Sequence, residues 1–138
     1  MNVQAYLFFN GRCEEALEFY RKALGAEVLE LLRFSESPEP PPPGVVPPGF
    51  ENKIMHCCWR VGDTQIMASD GCSASSEPSF QGFSLSLNPS SAAEADRLST
   101  ALAEGRQVQM PLGQTFWSPC FGMVVDRFGL SWMVNVVA

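Results

Sequence analysis

The chain carries a single histidine, His56. An imidazole accepts or releases a proton near neutral pH, so His56 is either a general base or ligand anchor, or a hydrogen-bonded structural ring. His56, Cys58 and Arg60 alternate along one apolar stretch and would share one face of a strand, a possible polar pocket wall. Asp70 follows Met67-Ala68-Ser69, where its carboxylate either caps a turn or pairs with a cationic ligand. Asp126, in Asp126-Arg127-Phe128-Gly129, reads as a turn residue. The five cysteines, Cys13, Cys57, Cys58, Cys72 and Cys120, are odd in number and form no CxxC pair. That spacing indicates neither a zinc knuckle nor a dithiol redox motif, and fits reduced thiols filling small core spaces. Cys120, near Trp117 and Phe121, keeps a reactive role open. No GxSxG, P-loop or glycine-rich dinucleotide loop occurs, so spacing names no nucleophile–base pair and no nucleotide site.

The elements that must position these groups are read from period. Val3 to Phe9 is β-branched and aromatic and predicts a strand, with Gln4, Tyr6 and Phe8 on one face and Leu7 and Phe9 on the other. Asn10-Gly11 breaks it. From Arg12 to Leu24 the apolar residues Cys13, Ala16, Leu17, Tyr20, Ala23 and Leu24 fall at helical spacing, and Gly25 is a natural stop. Ala26 to Phe34 predicts a second strand. Ser35 to Gly49 is dense in proline, lacks the amide donors of a ladder, and predicts an exposed, mobile surface loop. Lys53 to Val61 and Thr64 to Ser69 predict a hairpin around Gly62-Asp63, and Asp70 to Pro78 a connection.

The second half repeats this order. Phe83 to Leu87 predicts a strand with Ser84 and Ser86 on one face, and Ser91 with Glu94 resembles a capping box. A helix with Ala95, Leu98, Ala101 and Leu102 inside ends at Gly105, and Gln107 to Leu112 is a short strand. Thr115 to Val125 and Leu130 to Val136 predict a last hairpin. At an offset of 78, Leu7 meets Leu85, Phe9 meets Leu87 and Tyr20 meets Leu98; in the closing strands the offset is 66, where Met67 meets Met133. The shorter offset corresponds to the proline-rich stretch, an insertion in the first half only. This pattern is that of a duplicated strand–helix–three-strand unit. It predicts a single domain over 1–138, with one module over 1–70, including the loop 35–49, and a second over 79–138. Eight strands and two main helices follow.

Taken in order, Tyr6-Leu7-Phe8-Phe9, Cys13-Glu14-Glu15-Ala16, Phe19-Tyr20, Leu24-Gly25-Ala26, His56, Gly62-Asp63, Met67 and Ser69-Asp70 form a recognisable set. Gly82-Phe83-Ser84-Leu85-Ser86-Leu87, Met110-Pro111-Leu112, Thr115-Phe116-Trp117, Phe121-Gly122-Met123, Asp126, Phe128-Gly129 and Trp132-Met133-Val134-Asn135 complete it. The chain resembles the vicinal oxygen chelate superfamily of glyoxalases, bleomycin-resistance proteins and extradiol dioxygenases. Within it the PhnB-like branch, once labelled a 3-demethylubiquinone-9 3-methyltransferase domain, is most similar. The resemblance implies an α+β fold of two βαβββ modules forming half-barrels, helices outside and ligand on the concave face. Metal-dependent members place four His or Glu ligands on cavity-facing strand positions. The corresponding residues here, by alignment, are Gln4, Met67, Gly82 and Met133, which offer no imidazole and no carboxylate. Thioethers are soft and suit Cu(I), not magnesium, nickel, iron or zinc.

Apolar residues make up 46% of the 138 positions and charged residues 17%, which suits a folded domain with its own core. The formal net charge of −6 disfavours a nucleic-acid partner. No apolar run is long enough to span a bilayer and the N-terminus has no signal-peptide pattern, so a cytoplasmic protein is expected. The leading expectation is a metal-free, cofactor-free homodimer that binds an unidentified small organic molecule, whether or not it catalyses a reaction. The ligand site is expected at Gln4, Tyr6, Phe8, His56, Met67, Ser84, Trp117 and Met133. Two alternatives stand beside it: a metal-dependent lyase, isomerase or dioxygenase of the same superfamily, and a methyltransferase acting on a quinone-like phenol. A transferase using S-adenosylmethionine would normally need a glycine loop after a strand, and the glycines here do not make one.

Overall fold

A computed structural model describes residues 1–39, 44–71, 77–104, 106 and 108–137. Part of the proline-rich stretch, Cys72 with most of the connection after Asp70, the helix stop expected at Gly105 and the strand start at Gln107 lie outside the described residues. The chain divides into two compact units, Met1–Pro78 and Ser79–Ala138. Each has the order strand, helix, three strands, as the duplicated pattern requires.

In the first unit, β1 (Tyr6–Phe8) leads to α1 (Cys13–Leu24), β2 (Glu27–Arg33), β3 (Ile54–Val61) and β4 (Thr64–Ser69), with sheet order β1-β4-β3-β2. β1 runs parallel to β4; the other neighbours are antiparallel. β1 is shorter than its sequence implied. The ladder begins at Tyr6, extended by single bonds from the Met67 amide to the Ala5 carbonyl and from the Phe9 amide to the Ser69 carbonyl, so Gln4 precedes it. α1 covers the face carrying Leu7, Cys57, Trp59, Ile66 and Ala68, all buried. Tyr20 of α1 stacks on Trp59 at 5.0 Å between centroids and 6° between planes. The helix ends where Gly25, at φ 69°, turns left-handed and donates to the Arg21 carbonyl.

α1 lacks a side-chain cap of its own at Arg12. Asp70 supplies one from the far end of β4. Its Oδ1 accepts from the Gly11 and Cys13 amides at 2.9 and 2.8 Å, and its Oδ2 from the Ile54 amide at 2.7 Å. Of the two sequence-level options for Asp70, the turn-capping one is realised: the carboxylate is fully buried and joins the start of α1 to β3.

The second unit comprises β5 (Leu85–Leu87), α2 (Ala92–Leu102), β6 (Val108–Gly113), β7 (Cys120–Val125) and β8 (Ser131–Val136), in sheet order β5-β8-β7-β6. The Ser91 hydroxyl caps α2 by accepting from the Glu94 amide at 3.2 Å, while the Glu94 carboxylate turns to Ser90. Asp126 is the turn residue expected: it is buried, Oδ1 accepts from Phe128 and Leu130 amides, and Oδ2 accepts from the Trp132 indole at 2.9 Å. Gly122 is required where β6 crosses β7, because a Cβ there would meet Leu112 Cδ2 at 2.9 Å and the Met110 carbonyl at 3.0 Å.

Two sequence alignments shift. Met67 pairs with Tyr6 and Met133 with Ser86, so Tyr6 corresponds to Ser86 and Leu7 to Leu87, two positions beyond the Leu7–Leu85 match. A shift of two preserves strand faces, which is why the facing assignment survives it. Gln4 then corresponds to Ser84, while Gly82 sits in a bend at φ 80°. The second shift concerns Thr115 to Pro119, which turns instead of pairing: the Thr115 amide donates to the Ser118 carbonyl at 2.9 Å. The buried Ser118 hydroxyl donates to the Val136 carbonyl at 2.6 Å and fixes this turn to β8.

Candidate functional site

The first sheet presents its second face away from α1. Strand alternation and register place Tyr6, Met67, Cys58 and Glu30 in one row across β1, β4, β3 and β2. His56, opposite Leu32, lies on the same face one step along, and Gln65, Arg60 and Glu27 form the row on the other side. The Tyr6 phenol oxygen lies 3.1 Å from His56 Nδ1, a hydrogen bond between β1 and β3. Their rings are tilted at 5.8 Å, and Phe8 stands 5.2 Å from Tyr6. Tyr6 is 38% exposed and Phe8 52%, in contrast to Leu7 and Phe9 between and beside them, which are buried. Five of the eight expected site residues belong to this unit. Tyr6, Phe8, His56 and Met67 share the face; Gln4, half-buried, enters the sheet just before the ladder.

The groups beside Tyr6 on this face are mostly neutral, with Glu30 and the Arg60–Glu27 ion pair toward β2. Burial pushes the Tyr6 phenol above its ordinary value; the thiols of Cys57 and Cys13 add to this and the Ser69 hydroxyl opposes it. Burial also raises the Cys58 thiol, with Glu30 and Cys57 adding, so it is held as a thiol and is a poor nucleophile. Its sulfur lies 3.8 Å from Gln65 Oε1. Arg60 is neutralised by Glu27 at 2.6 Å. Behind the sheet, Cys13 and Cys57 bring their sulfurs within 3.7 Å. That contact, with burial, pushes the Cys13 pKa well up, while the same contact lowers that of Cys57.

In the second unit the corresponding face carries Ser86, Met133, Met123 and Met110 in one row across β5, β8, β7 and β6. The Ser84 and Ser131 hydroxyls meet at 2.7 Å. Trp117, half-exposed, projects from the turn anchored by Ser118 and rests edge-on against the buried Phe121 at 5.3 Å. Sequence reasoning missed Met123 and Met110. The signal was present in the alternation Phe121, Met123, Val125, but only the register shows that three thioethers stand side by side. Cys120, left open as reactive, packs with Leu87 and Leu112 against the core of Ala95, Val134 and Val136.

The family model described as 3-demethylubiquinone-9 3-methyltransferase matches residues 1–135. The chain belongs to this family. It is a PhnB-like member of the vicinal oxygen chelate superfamily, each of its two units having the βαβββ order of that group. Protein YjdN of Escherichia coli is 36% identical, the match covering 99% of this chain and 96% of YjdN. Protein PA1353 from Pseudomonas aeruginosa is 47% identical, with a TM-score of 0.84 over 99% of this chain and 98% of that one. A PhnB protein from Bacillus cereus is 25% identical, with a TM-score of 0.80 over 99% of this chain and 100% of that one.

The superfamily's divalent metal does not fit the donors present. The positions concerned hold an amide at Gln4, thioethers at Met67 and Met133, and the hydroxyl of Ser84 in the place aligned to Gly82 by sequence. Magnesium, zinc, nickel and iron are held by carboxylate, imidazole or thiolate, and this set has none. Among the described residues no group of three or more His, Cys, Asp or Glu could hold a metal ion. Among them, too, no helix is long and apolar enough to cross a membrane.

Proposed function

We propose that this PhnB-like chain binds a small organic molecule without a divalent metal. The ligand-contacting residues in this reading are Gln4, Tyr6, Phe8, His56 and Met67 of the first unit and Ser84, Trp117 and Met133 of the second. The observation that carries it is the contrast between the two faces of the first sheet. The side under α1 buries Leu7, Cys57, Trp59, Ile66 and Ala68, whereas the other exposes Phe8 beside the Tyr6–His56 phenol–imidazole pair and a thioether, with Gln65 and the Arg60–Glu27 ion pair in the next row. A few polar groups set among apolar walls suit an amphipathic or aromatic ligand. Methionine adapts its shape and makes favourable contacts to rings. Burial of one ligand ring contributes about 2–3 kcal/mol before ordering costs.

The same reading includes a homodimer. β2 and β6 are edge strands of their sheets and expose Val28, Leu29, Leu31, Val108 and Met110. Edges with apolar side chains favour association with a second copy.

Native mass spectrometry of protein purified from its own host tests the reading. The expected result is a dimer retaining an organic mass, with elemental analysis finding no stoichiometric zinc, nickel or iron. One such metal per chain would overturn the metal-free assignment and favour the lyase or isomerase alternative. The family description favours one further reading, methyl transfer to a quinone-like phenol. A thermal upshift with S-adenosylmethionine, absent with adenosine, would support it.

A further inference from the structure

The bond between Tyr6 and His56 has a directional consequence, and it rests on the binding proposal above. We infer that Tyr6 and His56 form a proton relay that takes the proton of an acidic ligand hydroxyl, a phenol or an enol, so that the ligand is held as its oxyanion. The step is balanced within the site. The ligand O–H bond breaks and its proton goes to the Tyr6 oxygen. The Tyr6 proton passes to His56 Nδ1 across the 3.1 Å bond. The products are an oxyanion, a neutral tyrosine and an imidazolium, with no outside reagent.

Three observations converge on this. The phenol is neutral by environment and accessible, so it can donate to the imidazole while its lone pairs accept from a ligand. The two groups come from strands at different places in the sheet, β1 and β3 with β4 between, and only the ladder brings them together. The charged groups on this face are few: Glu30 of β2 stands in the adjacent row, opposite Cys58, and the Arg60 cation on β3 is paired with Glu27. β1 contributes Tyr6 and Phe8 to this face and β4 contributes Gln65 and Met67, none of them charged; Cys58 is held as a thiol. Phe8, 5.2 Å from Tyr6, gives an aromatic ligand a surface beside the relay.

The probe is 4-nitrophenol, whose phenolate is coloured and whose neutral form is not. It is titrated with the full chain below its own pKa, with total binding by equilibrium dialysis and ionisation by absorbance. The expected result is saturable binding with the apparent pKa of the bound dye lowered by about one unit or more. Tyr6→Phe and His56→Gln should each return that pKa to its free value, while Phe8→Leu should weaken binding without changing the ionised fraction. Dye bound in its neutral form, or ionised equally by Tyr6→Phe, overturns the relay and leaves the binding proposal standing. Absence of saturable binding overturns the relay and counts against an aromatic ligand on this face. Circular dichroism of each variant separates these outcomes from unfolding.

Discussion

Two buried carboxylates show how much a single residue can hold. Asp70 accepts from three backbone amides, in the turn before α1, in α1 and in β3, and Asp126 accepts from two amides and an indole. Asp70→Asn keeps the size but replaces an acceptor oxygen with an NH2 that faces amide donors. It should cost about 2–4 kcal/mol, measured by urea unfolding with an unchanged m-value. The Cys13 thiol yields a prediction in pH. Its folded pKa is raised by the contact to Cys57 and by burial, so its contribution to stability is complete below the ordinary thiol pKa of about 8.5 and declines as pH rises above it, partly offset by the lowered pKa of Cys57. Melting temperatures across that alkaline range should fall more steeply for the native chain than for Cys13→Ala. The two curves should converge in slope at neutral pH. An equal alkaline slope in both would show that Cys13 does not hold its proton in the fold.

At the scale of elements, α2 depends on the Ser91 cap, and Ser91→Ala should cost about 1 kcal/mol by denaturant titration. The proline-rich segment is closed at its base by the structure itself. The Phe34 amide donates to the Lys53 carbonyl, the Ser35 amide donates to Glu51 at 2.8 Å, and Phe34 approaches Phe50. Excision of Ser37 to Pro48 with Ser-Gly inserted in its place should therefore leave a folded protein with a cooperative thermal transition. Loss of that transition would mean that the segment supports the first unit. Trp117 depends on its element as well, since Ser118 ties the turn to β8. Trp117→Ala should weaken capture of the native ligand about ten- to a hundredfold with the oligomeric state intact, as measured by calorimetry once the co-purifying molecule is known.

For the molecule as a whole, one architectural plan is used twice with different chemistry on each copy. The first unit places aromatic rings, imidazole and thiol on the face away from its helix. The second places methionines and hydroxyls there. Both bury the opposite face of their central strands, so neither unit can exchange its two faces without losing its core. The apolar edge strands give the whole-molecule prediction: light scattering at micromolar concentration should report twice the mass of the chain. A monomer would refute the dimer while leaving the binding residues untouched.

The sequence by itself determined the elements and their facing. Alternation in Tyr6-Leu7-Phe8-Phe9 and the helical spacing from Cys13 to Leu24 are local properties, set by the pleat and the helical turn. They survived folding because burial enforces the same parity. Repetition of that order along the chain indicated a duplicated unit, and the motif residues from Tyr6-Leu7-Phe8-Phe9 to Trp132-Met133-Val134-Asn135 carried the resemblance to the family. What lay beyond it was register and distance. Whether Ser86 or Ser84 sits beside Met133 depends on how β5 and β8 slide against each other, and a shift of two positions leaves every local pattern unchanged. The turn at Thr115 to Ser118 was hidden because Trp117 and Phe116 are as strand-like in composition as their neighbours; the Ser118 bond to β8 decided it. Asp70 was legible as a cap, but its partners lie in two elements distant in sequence. Tyr6 and His56 were each legible as site residues. Their bond was not, because β4, which follows both in sequence, lies between their strands in space, and only the assembled sheet brings phenol and imidazole into contact.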